Sequence, residues 1–181
     1  MTLTPEEERL FFNSHRSLMV FVNQRLRVLP EMPVTPRNFA YLPDQSRLEV
    51  RNAFLKDTGL IEQFVQENPA HLSPEELEIV SSWRHLVKGS FFIFRELANY
   101  TVFLSSGDPP IAYGVTALSQ PFEELVGPYL PVMTEAVLLP FRDKIVYDGI
   151  LVGLGISISF GPGIRRTLNE DFRKAKQRYG I

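Results

Sequence analysis

Apolar residues recur with helical spacing through the first half of the chain and with strand spacing through the second. Phe11, Leu18, Val22 and Leu26, with Phe12 and Met19 beside them, make one broad face opposite Arg9, Arg16 and Arg25. Thr4-Pro5-Glu6-Glu7 opens this helix: threonine suits the cap, proline suits the first helical position, and Glu7 can return a bond to the cap backbone. Pro30 ends it, and the prolines at 30, 33, 36 and 43 make the following segment an extended connector. Asp44 is expected to cap a helix running to about Lys56. Gly59 separates it from a short helix carrying Leu60, Ile61, Phe64 and Val65, which Asn68-Pro69 stops. In Leu72-Ser73-Pro74-Glu75-Glu76-Leu77 the spacing of Ser73 and Glu76 is that of a capping box, with Leu72 placed to staple onto Leu77. The helix it starts is expected to reach about Val87, burying Leu77, Val80, Trp83 or Arg84, and Val87.

From Gly89 the period changes. Residues 91–94 (Phe-Phe-Ile-Phe) and 100–104 (Tyr-Thr-Val-Phe-Leu) are rich in strand formers and predict a hairpin. Gly107-Asp108-Pro109-Pro110 is a turn, 111–115 a third strand, and 120–126 a short helix ending near Gly127. Residues 135–160 read as the organising hairpin. Two apolar runs flank Arg142-Asp143-Lys144, and Pro140 sits close to the connection, where a missing ladder hydrogen bond matters least. Residues 156–160 (Ile-Ser-Ile-Ser-Phe) alternate as a half-exposed strand, and Gly161-Pro162-Gly163 turns into a last helix from Ile164 to about Arg178.

Helices first and strands second predict an α+β fold: N-terminal helices packed on a mostly antiparallel β-meander of about five to six strands, closed by a C-terminal helix. A single domain over 1–181 is expected, helical to about 88, sheet-rich over about 89–160, with the final helix over about 163–178. A chain of 181 residues can bury roughly 70% of its unfolded surface without a covalent staple, and 14 Phe residues supply much of the core volume.

Charge and composition narrow the function. A formal charge of −2 and a pI near 6.0 argue against a general polyanion binder. The chain has no Cys, so disulfides, thiolate metal sites and cysteine nucleophiles are excluded. The acidic N-terminus lacks an apolar signal region, which leads to the expectation of a cytoplasmic protein. Residues 145–160, interrupted by Asp148 and three Gly, fall short of the roughly 20 residues a membrane span needs.

Candidate chemistry is sparse. Gly161, Gly163, Arg165 and Arg166 have the parts of an anion site: small residues at a helix start, free backbone N–H groups and two guanidiniums. Their spacing matches neither the dinucleotide fingerprint nor the P-loop, and the plainer reading is a tight strand-to-helix turn. From Ile164 onwards six basic residues stand against two acidic ones, which suits a helix C-terminus, with nucleic acid or an acidic partner protein as the alternatives. Asp148 lies in the apolar run Val146-Tyr147-Asp148-Gly149-Ile150, where Asp-Gly marks a turn or bulge and a perturbed catalytic acid is the sharper alternative. Glu135 is expected to reach solvent or an arginine. His15, His71 and His85 show no metal-ligand spacing, and neither GxSxG nor SxxK occurs. Trp83 reads as core, with Arg84 and Lys88 solvated.

These patterns favour a non-enzymatic accessory or protein-interaction module, without cofactor or metal, whose partner is another protein or a second copy paired through an edge strand. The alternative is a phosphate-recognising module, for a nucleotide or nucleic-acid backbone, built on Gly161, Gly163, Arg165 and Arg166; nucleic acid is not the favoured ligand. A third class is a hydrolase or lyase using Asp148 with His85, which requires the two side chains within hydrogen-bond or one-water reach.

Overall fold

The computed structural model describes residues 1–30, 34–127, 130–153 and 162–179. The fold is α+β, with helices first, strands second and a helix at the end. The chain forms two compact units: Pro5–His85, and a second made of Met1–Thr4 with Leu86–Ile181. The boundary falls close to the expected change from helix to sheet near 88.

In the helical unit, α1 (Pro5–Leu26) buries Phe11, Leu18, Met19 and Val22 of the face its spacing predicts, while Phe12 is half-buried and Leu26, in the last turn, is exposed. α2 (Asp44–Phe54) starts at Asp44 itself, with Pro43 at the cap position and the Asp44 carboxylate paired to Arg47 one turn on. α3 (Leu60–Glu67) inserts Leu60, Ile61 and Phe64. It ends at Asn68, which takes the left-handed conformation and clasps both backbone groups of Leu72 through its side-chain amide. The capping box of α4 (Pro74–Ser82) is present: the Glu76 N–H donates to Ser73 Oγ and the Ser73 N–H donates to the Glu76 carboxylate.

Two details of α4 differ from the expected helix. It ends at Ser82, followed by a tight turn over Trp83–His85, and Val87 already belongs to the first strand. Its buried row is Ile79, Val80 and Trp83, while Leu77 is only half-buried. The cause is Trp83, which packs edge-on against both Phe11 and His15, so the chain tightens at that point to bring the indole into the core.

In the second unit, β1 (Val87–Glu96), β2 (Thr101–Ser105), β3 (Ala112–Thr116), β4 (Val132–Phe141) and β5 (Lys144–Tyr147) close into a barrel of spatial order β1-β2-β3-β5-β4. β1 pairs antiparallel with β2 and β4, so β4-β1-β2-β3 is a Greek key; α5 (Phe122–Val126) lies on the long β3-to-β4 connection. β5 closes the cylinder, antiparallel to β4 and parallel to β3. The expected meander is therefore corrected in its closure. Ten-residue β1 is long enough to serve two neighbours, and the last gap is filled by a parallel pair, Val115 with Ile145 and Thr116 with Val146.

The predicted hairpin is present. Phe141 pairs with Lys144, and Arg142, at φ 54°, turns the chain between them. Alternate residues fill the barrel: Phe91 and Ile93 from β1, Phe103 from β2, Val115 from β3, Ala136 and Leu138 from β4. Phe122 of α5 packs against Phe103 and Tyr147. The first residues belong here too: Thr2 bridges in parallel to Ala117, and buried Leu3 donates its N–H to the carbonyls of Ala117 and Leu118. In sequence, then, the helical unit is inserted after residue 4 of the barrel unit. The strand expected over 156–160 lies outside the described residues. α6 (Pro162–Tyr179) is the terminal helix, and no helix among the described residues is long and apolar enough to cross a membrane.

Candidate functional site

A barrel strand normally alternates core-facing with solvent-facing residues, yet β1 and β2 are apolar on both sides. Register explains it. Across the outer surface, Phe92 pairs with Leu104 and Leu104 with Ala112, while Arg95 pairs with Val102 and Val102 with Gly114. An irregularity between Ile93 and Arg95 adds Phe94 to this outer row. The surface is a nearly unbroken apolar strip three strands wide, made flat on β3 by alanine and glycine.

α6 is seated on it. Leu168, Phe172 and Ala175, spaced four and three residues apart, form one apolar stripe that joins Phe94, Val102, Leu104 and Ala112 in a single cluster, with Phe92 and Tyr100 at its margin. The Phe172 ring lies 5.7 Å from that of Phe94. The Arg95 guanidinium lies 4.3 Å from the centre of Phe94 and 5.1 Å from that of Phe172, and donates to the side-chain carbonyl of Asn169. One arginine therefore supplies cation–π contact to both surfaces and a directional bond to the helix.

Charge complements shape. Outside α6, the barrel unit carries Lys88, Arg95, Arg142 and Lys144 against seven acidic residues, a balance of −3; α6 carries six basic against two acidic residues, a balance of +4. The site is thus an apolar, aromatic-edged platform on an acidic barrel, filled by a basic amphipathic helix.

The residues singled out from sequence sit elsewhere or stand alone. Gly163 lies in the first turn of α6, its carbonyl accepting from the Thr167 hydroxyl at 3.2 Å. Arg166 is exposed and paired with Glu170 at 3.2 Å; Gly161 and the side chain of Arg165 lie outside what the structure describes. Asp148 is buried and folded onto its own turn: its N–H donates to the Val137 carbonyl and its Oδ1 accepts from the Ile150 N–H at 3.1 Å. Gly149 follows at φ 87°, and the strand resumes with the bridge between Glu135 and Val152, so Asp148-Gly149 is the bulge the dipeptide suggests. Burial, then the Asp148 charge, pushes the neighbouring Tyr147 phenol up to about 12. Glu135 is exposed.

His85 is exposed, with Nε2 accepting from Arg84 Nε at 3.2 Å. It belongs to the helical unit and Asp148 to the barrel unit. Trp83 is core and Arg84 and Lys88 are exposed. Among the described residues no group of three or more His, Asp or Glu could hold a metal ion.

Sequence reasoning missed Phe94, Arg95, Tyr100 and Gly114. The signal was the unbroken run Phe91-Phe92-Ile93-Phe94, since a strand without polar alternation is covered on both faces. No protein-family model, curated protein or solved structure matches the chain.

Proposed function

We propose that this chain is a non-enzymatic protein-interaction module whose recognition surface is the outer β1–β2–β3 face of the barrel. One observation carries the reading: that face binds an amphipathic helix, α6, through apolar side chains on every strand and a directional arginine contact. Helix-in-groove recognition works in this way, with anchors at i, i+4 and i+7. Five-stranded Greek-key barrels of the OB type also carry ligands on the outer face of strands 2 and 3, an analogy of fold that supports the location and not the ligand. An acidic barrel disfavours a nucleic-acid backbone there.

The full-length chain is to be titrated with fluorescent basic amphipathic peptides, and with nucleotides and short oligonucleotides at two salt concentrations. The reading expects saturable peptide binding. Oligonucleotide or nucleotide binding at low salt, reversed by added salt, with no peptide bound, would replace it with the phosphate-recognising module centred on Gly161, Gly163, Arg165 and Arg166.

A further inference from the structure

Resting on that reading, we infer that α6 is the barrel's competitor in cis, and that the natural partner is a basic amphipathic helix with apolar residues at positions 1, 5 and 8 and a hydrogen-bond acceptor at position 2.

The motif is read from α6 as a template. Leu168, Phe172 and Ala175 define the three anchors, and Asn169 defines the acceptor that meets Arg95. The small residue at position 8 follows from Ala175, which is almost wholly buried in the cluster. The basic exterior follows from the opposite balances of α6 and the rest of its unit.

Competition follows from the shared seat: a helix carrying these anchors needs the same β1–β2–β3 face and the same Arg95 that α6 occupies. Among the described side chains of α6, Leu168, Phe172 and Ala175 join the apolar cluster, Asn169 meets Arg95, and Arg166 with Glu170 and Lys174 with Asp171 pair within the helix. Being part of the same chain keeps α6 at a high effective concentration beside its seat, so a partner has to out-compete it. The gain in the free energy of partner binding on releasing α6 is then the cost of its cis seat.

The experiment uses the full-length chain and, as probe, a fluorescent peptide of residues 162–179. Binding is compared for wild type, Phe172→Asp, which places a charge against Phe94, and Asn169→Leu, which removes the acceptor for Arg95 without adding charge. Circular dichroism melts confirm that the barrel remains folded, and the milder variant serves if Phe172→Asp does not fold. The expected result is at least tenfold tighter peptide binding by Phe172→Asp and a smaller gain by Asn169→Leu. A peptide carrying aspartate at its own 168 and 172 positions should not bind.

Equal binding by wild type and both variants overturns cis competition and leaves the docking face in place. Equal binding of the aspartate-substituted peptide overturns the motif, because charge alone then suffices. No peptide binding by any folded variant removes the docking face itself.

Discussion

Tyr100 packs against Gly114: a methyl group at position 114 would fall 2.9 Å from ring carbons Cγ and Cδ2. These are atoms at the base of the ring, which cannot swing aside as a flexible tip could. The glycine is required here by the close approach of an aromatic ring at the edge of the α6 platform. Gly114→Ala should destabilise by about 1–3 kcal/mol, the usual cost of overpacking. Tyr100→Ala should remove most of that penalty, so the double variant lies well short of additivity. Urea unfolding of the four proteins checks this; full additivity would place the strain elsewhere.

Glu76 serves two helices. Beyond its bond to the Ser73 N–H, its Oε1 accepts from Asn13 Nδ2 of α1 at 2.5 Å. Partial burial by itself raises the carboxyl pKa, but the bonds from Asn13 and Ser73 outweigh it and the net shift is downward. Its contribution is therefore complete above the unfolded pKa and disappears as pH falls through the lower folded value. Glu76→Ala should cost about 1 kcal/mol at pH 7, with a smaller difference from wild type in acid. A cost that does not shrink in denaturation series at pH 7 and pH 3 would mean that the carboxylate charge is not what holds the cap.

Local features were legible wherever one segment fixes its own geometry. Ser73 and Glu76 specify their box by spacing alone, and Arg142-Asp143 can join only two antiparallel arms. The barrel's closure was not legible, because the parallel pairing of Val115 with Ile145 depends on β1 already holding β2 and β4 on its two sides. The site was missed for a related reason. Leu168, Phe172 and Ala175 carry helical spacing in the sequence, but six basic residues around them dominate the reading of that helix, and nothing local says which surface covers three apolar positions. Conversely, Gly161 to Arg166 resemble an anion loop because glycine and arginine suit both a turn and a phosphate, and composition cannot separate the two.

Two glycines separate conformational need from mere smallness. Gly149 sits at φ 87°, with the nearest Leu118 methyl an ordinary 3.6 Å from where a Cβ would stand, so backbone strain alone makes Gly149→Ala unfavourable, by roughly 1 kcal/mol. Gly163 lies in the first turn of α6 with nothing within 4 Å of an added Cβ. Gly163→Ala should stabilise α6 by up to about 1 kcal/mol. Opposite signs in thermal melts are expected. A destabilised Gly163→Ala protein would show that its backbone has a role beyond starting a helix.

His15 is 7% exposed, its ring stacked 5.5 Å from Phe11 and set edge-on to Trp83 at 5.8 Å. Burial first, then the positive charges of Arg16 and Arg47, lowers its pKa from 6.5 to about 4. The folded protein thus prefers the neutral ring, while the unfolded chain takes up a proton below pH 6.5. Stability is complete above that value and declines as pH falls from 6.5 towards 4, by about 2 kcal/mol at pH 5. His15→Leu keeps an apolar side chain between the two aromatic rings and cannot titrate, so its unfolding free energy should change less from pH 7 to pH 5 than that of wild type. Denaturant curves at pH 7, 6 and 5 decide it: parallel profiles for the two proteins would show that the acid sensitivity arises from another group.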